Sequence, residues 1–199
     1  MKFLVGFALL IASLGANATF ITFDESDLTG HGMQASNGWG GYSVTNGGLG
    51  LAISGNYWVS LSSIDIATLN NSVLSFEFMT TNVGEVNGIG FDNDSEIKTG
   101  GLVFDFGGTQ GYGNQDFAQT LVSGVWYTIT IDFTNYDISS YDRMLFVADQ
   151  DVQGRNTDSN FRNLFVSTPS SLVGVSAPSS LAMFVLALTG LGFRARRNK

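Results

Sequence analysis

Apolar and polar residues alternate with a period of two in several short runs. Leu74, Phe76 and Phe78 alternate with Ser75, Glu77 and Met79. Val125, Tyr127, Ile129, Ile131 and Phe133 fall on one side of a second run, with Trp126, Thr128, Thr130 and Asp132 on the other. Leu49, Leu51 and Ile53 alternate with small residues. A period of two, carried by β-branched and aromatic side chains, predicts half-buried strands. Further strands are predicted over residues 20–24, 57–61, 85–91, 101–106, 143–148 and 161–167. No stretch between them carries a long helical period. About nine or ten strands in one domain predict an all-β fold, a two-sheet β-sandwich of the jelly-roll type.

The two ends break this pattern. Lys2, the apolar run 3–14 and the small-x-small Ala16-Asn17-Ala18 predict a signal peptide, residues 1–18, with a mature chain starting at Thr19. The alternative is a membrane anchor that is never cleaved. Both prolines, Pro169 and Pro178, lie in a Ser-rich stretch that reads as a linker. Residues 19–167 are then the domain, 168–178 the linker and sorting motif, and 179–199 an apolar helix with a basic end. The apolar run 181–193 falls short of the roughly 20 residues of a comfortable span. Arg194, Arg196 and Arg197 favour the cytoplasmic side.

The order Val175-Ser176-Ala177-Pro178, apolar run, basic end resembles the bacterial PEP-CTERM sorting tail. In that family a Pro-Glu-Pro motif precedes such a segment. Here Ser-Ala-Pro stands in its place and only the second proline, Pro178, is kept. The resemblance implies export, transient anchoring in the inner membrane, processing by an exosortase-type enzyme, and a final place at the cell surface or outside the cell.

All 17 acidic residues lie between Asp24 and Asp158, opposed there by Lys98, Arg143, Arg155 and Arg162, so this stretch carries −13. Such a charge excludes a nucleic-acid partner, because phosphates need a basic face. It suits a bound cation, or simple solubility outside the cell. With no cysteine, the domain has no disulfides, thiol nucleophile or Cys-based zinc site. The one histidine, His31, sits between Gly30 and Gly32 and reads as a loop residue.

Two loops concentrate oxygen ligands. One is Asp92-Asn93-Asp94-Ser95-Glu96; the other starts Asp149-Gln150-Asp151-Val152-Gln153-Gly154. Calcium takes six to eight oxygens, and Asp at alternate positions lets two carboxylates turn to one point. Asp92, Asp94, Asp149 and Asp151 are therefore the candidate calcium ligands, on the expectation that the two loops meet at one edge of the sandwich. The second loop partly mimics an EF-hand, but its twelfth position is Asn160 and strands flank it. The competing reading is a pair of solvated acidic turns.

The stretches 84–94, 146–151 and 159–164, with Phe23-Asp24-Glu25-Ser26-Asp27-Leu28 and Gly47-Gly48-Leu49, resemble the jelly-roll carbohydrate-binding modules appended to bacterial polysaccharide-degrading enzymes. The resemblance spans residues 20–166 and implies a lectin-like sandwich that binds an extracellular polysaccharide. Sugar binding needs an aromatic face and placed polar groups. Tyr112 ranks first, with Gln110, Asn114 and Asp116 beside it in a glycine-flanked loop; Trp58, Tyr57 and Trp126 follow. Trp39 and Tyr42 are further aromatic candidates. Each is equally an ordinary packing residue.

Three functions compete. The first is a non-catalytic glycan-binding protein with calcium. The second is a structural protein of a biofilm or exopolysaccharide matrix without a small ligand. The third is a glycoside-acting enzyme, which needs two carboxyl groups facing each other across a sugar. No motif for phosphate binding or His-assisted nucleophilic catalysis is present, and a non-enzyme is expected.

Overall fold

Alternation in the sequence becomes the two faces of real strands. The computed structural model describes residues 18–97, 102–152 and 155–168. The predicted signal peptide (save Ala18), the sorting motif with Pro178 and the basic end with Arg194, Arg196 and Arg197 lie outside them. Two units divide the chain, Met1–Pro169 and Ser170–Lys199, and the described residues all belong to the first. No helix among them is long and apolar enough to cross a membrane.

Eleven strands are described: β1 Ala18–Phe20, β2 Leu28–Gly30, β3 Gly40–Thr45, β4 Gly50–Gly55, β5 Tyr57–Leu61, β6 Val73–Met79, β7 Val86–Asp92, β8 Leu102–Gly107, β9 Tyr127–Asp132, β10 Arg143–Asp149 and β11 Asp158–Ser167. Two short helices accompany them, α1 Gly32–Ser36 and α2 Ile66–Leu69. The first sheet runs β3-β4-β11-β6-β9, with β1 also on β11; the second runs β2-β5-β10-β7-β8. Every strand pairing is antiparallel. The all-β, two-sheet expectation holds.

Period two fills the space between the sheets. Phe76 and Phe78 from β6 meet Phe161 from β11 on the first sheet, and Phe106 from β8 and Phe146 from β10 on the second. Phe146 and Phe161 lie edge to face with centroids 5.1 Å apart. Each fully buried Phe contributes roughly 1.5–3 kcal/mol. A polar bridge crosses the same core. Asn87 Nδ2 donates to Ser159 Oγ at 2.9 Å, and Ser159 Oγ donates to the Val147 carbonyl at 2.7 Å.

The second sheet is covered on both faces, which explains the unbroken apolar run in β10. Met144, Phe146 and Ala148 point into the core. Leu145 and Val147 point outward and join Trp58, Val86 and Val103 beneath Ile97 and Tyr112.

Two local expectations differ from the structure. The predicted strand 20–24 stops at Phe20, because the Asp24 carboxylate accepts from Ser26 N–H at 2.9 Å and starts a 3-10 turn. The run 125–133 ends at Asp132 for the same reason, its carboxylate capping Thr134 N–H at 2.9 Å. His31 is the loop residue that the sequence predicts, between β2 and α1, and it is buried there, 2% exposed.

Candidate functional site

Register brings three carboxylates together at one end of the second sheet. In the β7–β10 pair Asp149 lies opposite Val86, so Glu85, just ahead of β7, adjoins the end of β10. Glu85 N–H donates to the Asp149 carbonyl at 2.7 Å. The chain then turns, and Asp151 N–H donates to Glu85 Oε2 at 2.8 Å. Asn56 ties the turn down: its Nδ2 donates to Asp151 Oδ1 at 3.1 Å and its Oδ1 accepts from Gln150 N–H at 3.3 Å. Ligating oxygens of Glu85, Asp149 and Asp151 all lie within 4.8 Å of one another. Calcium–oxygen bonds of about 2.3–2.6 Å allow two oxygens on one ion to stand about 5 Å apart, so the spacing fits. Three side chains are fewer than calcium's six to eight ligands; backbone carbonyls and water complete such a shell.

Asp149 is the buried acid of the three. It is 5% exposed, and burial pushes its pKa up to about 6. Repulsion from Asp151 and Glu85 raises it further, while the hydrogen bond from Trp58 opposes the rise. Trp58 Nε1–H donates to Asp149 Oδ1 at 2.7 Å. Tyr112 stands edge-on against Trp58, centroids 5.9 Å apart at 88°. Burial first, then Asp149 and Asp92, raise the pKa of the Tyr112 hydroxyl.

A buried acid positions the Tyr112 loop. Asp105, 1% exposed on β8, accepts from Gln115 Nε2 at 3.1 Å, and the same Nε2 donates to the Tyr112 carbonyl at 2.7 Å. Beside it is a cleft of about 520 Å³ lined by Gln110, Gln115, Gln119 and Asp105 among others. Asn114 and Asp116 bond to each other (3.0 and 2.8 Å), and Tyr136 OH donates to Asp116 at 2.7 Å. These bonds, from Tyr136 first, hold the Asp116 pKa below its ordinary value.

The other expected ligands stand elsewhere. Asp92 lies opposite Arg143, six residues along β10 from Asp149, about 20 Å at 3.3–3.4 Å per residue. The two acidic loops therefore do not meet. Asp92 Oδ2 instead lies 3.2 Å from buried His31 Nε2. Burial lowers the His31 pKa despite that neighbour. Asp92 and Asp94 also cap their own turn, accepting from Asn93 N–H at 2.7 Å and Glu96 N–H at 2.8 Å.

Among the aromatic candidates, Trp58 is 2% exposed, so it supports Tyr112 rather than facing solvent. Tyr57 is half-buried and packs toward Tyr42. Trp126 belongs to the outer face of the first sheet, covered by the Arg162 guanidinium 3.8 Å from its ring centre. Arg162 in turn binds Glu77 at 2.9 and 3.2 Å. Glu85 and Asn56 are the site residues that the sequence did not single out.

No protein-family model matches this chain, and no curated protein matches it.

Proposed function

We propose that this chain is an exported, surface-sorted, non-catalytic glycan-binding protein whose domain is a jelly roll. The observation that supports this reading is Tyr112 edge-on to Trp58, whose indole bonds to Asp149 in the cluster of Glu85, Asp149 and Asp151. An aromatic ring beside acceptor groups suits the C–H face and hydroxyls of a sugar. Calcium on Glu85, Asp149 and Asp151 would offset their mutual repulsion and hold the Asn56–Asp151 turn. It replaces the four-aspartate set expected from the sequence.

A glycan array probed with the exported protein, with and without chelator, tests the reading. Saturable binding to particular polysaccharides supports it; absence of binding to every glycan refutes it. Export and sorting are tested apart from this. The mature N-terminus should be Thr19, and deletion of residues 181–199 should release the protein from the membrane stage.

A second reading, a matrix protein with no small ligand, is favoured by one observation. Asn114 and Asp116 are engaged with each other and with Tyr136, not offered to a ligand. It predicts retention in the matrix with no sugar competitor.

A further inference from the structure

Five strands have an open edge, β3, β9 and the three-residue β1 on the first sheet and β2 and β8 on the second, and they are not treated alike. The β8 edge is covered by the loop that follows it. Asn114 N–H donates to the Val103 carbonyl at 2.7 Å, Asp105 N–H to the Asn114 carbonyl at 3.0 Å, and Gln119 N–H to the Phe106 carbonyl at 3.0 Å. The β2 edge is only three residues long. On the first sheet, β9 ends on the charged Asp132. The remaining edge, β3, reads Gly-Gly-Tyr-Ser-Val-Thr. It has six residues in unbroken register with β4 and, among the described residues, no other ladder.

Proteins guard exposed edges with charge, proline, a bulge, short length or a covering segment. Among the described residues β3 has none of these, in a chain with 17 acidic residues. Its flanks are apolar as well as open: Met33 is 82% exposed, Trp39 44% and Leu49 37%. Trp39 precedes the strand directly, its N–H held by Asn37 Oδ1 at 2.8 Å.

We propose that β3 is a self-association edge, on which a second copy of this chain pairs its own β3 antiparallel about a two-fold axis near Ser43. A row of unpaired N–H and C=O groups is complementary to itself under such an axis. The second copy is the fitting occupant on charge. Two acidic molecules meet here along a neutral strand, so no carboxylate is desolvated. Met33 and Trp39 of each copy add apolar contact at the ends of the ladder. A sugar offers no matching row of backbone groups.

Sedimentation equilibrium of the full chain in mild detergent, over a range of concentrations, tests this. The expected result is a mass that rises from one chain toward two. Ser43→Asp sets a like charge beside its own copy at an exposed position and should hold the protein at one chain with its melting temperature unchanged. Trp39 belongs to neither apolar cluster of the interior. Trp39→Ala should weaken the dimer at least tenfold, because the two-fold axis removes the ring from both copies, even if Ser43→Asp impairs folding. Thr130→Asp, on the opposite edge β9, should leave association intact. A single-chain mass at every concentration overturns the proposal. So does a dimer that survives both Ser43→Asp and Trp39→Ala, or one dissolved by Thr130→Asp alone.

Discussion

Trp58 and Asp149 are joined by one hydrogen bond, indole N–H to carboxylate at 2.7 Å, at positions 2% and 5% exposed. Trp58 leaves the second sheet on the side of Tyr112, and Asp149 ends the neighbouring strand. The bond therefore ties the aromatic half of the candidate site to its acidic half.

Trp58→Phe should keep an aromatic ring and remove the donor, with a further cost for the space the larger indole filled. Asp149 would then lack a hydrogen bond from its indole neighbour in a buried setting, at a cost of about 1–3 kcal/mol. Urea unfolding of the two proteins should show that difference in midpoint at equal slope. An unchanged midpoint would mean that water replaces the indole.

The raised pKa of Asp149 makes stability depend on pH. Its ordinary value is 3.8 and its folded value about 6. Between these the folded chain binds more protons than the unfolded one. Stability from this group is therefore present below pH 3.8 and lost as pH rises through about 6, by roughly 3 kcal/mol. Other acids and His31 titrate too, so the comparison is with Asp149→Asn in chelator. The stability of Asp149→Asn relative to the parent should rise between pH 4 and 7. A constant difference would contradict the burial of a titrating carboxyl group.

Calcium should act on Glu85, Asp149 and Asp151 and not on Asp92 and Asp94. Chelator should lower the melting temperature and calcium restore it, better than magnesium, which demands tighter geometry. At a hundredfold excess over the dissociation constant the gain is about 2.7 kcal/mol. Glu85→Gln or Asp151→Asn should remove most of that response, and Asp92→Ala should leave it. The same melting curve with and without chelator would retire the metal.

Much of the fold was legible because half-buried strands print their period in the sequence. The run 57–61 is β5 residue for residue, and β6 extends the run 74–79 by one residue, Val73. β2 and β3 were hidden because Leu28-Thr29-Gly30 and Gly40-Gly41 carry too little apolar alternation to be seen. The site was legible only in part. Asp149 and Asp151 stood out by spacing, but each acidic loop follows the C-terminal end of its strand. Antiparallel neighbours carry those ends on opposite sides of a sheet, which separates Asp92 from Asp149. The same rule sets the start of β7 beside the end of β10, and would have found Glu85.

The central claim is that the Tyr112 face binds a glycan. Its most direct test is titration of the parent and Tyr112→Ala, in calcium and then in chelator, with the polysaccharide that binds best on the array. The account predicts a saturable isotherm for the parent, loss of at least tenfold in affinity in Tyr112→Ala, about 1.4 kcal/mol, read well below the melting temperature that the lost packing on Trp58 lowers, and weaker binding in chelator. Equal isotherms for the parent and Tyr112→Ala would contradict it.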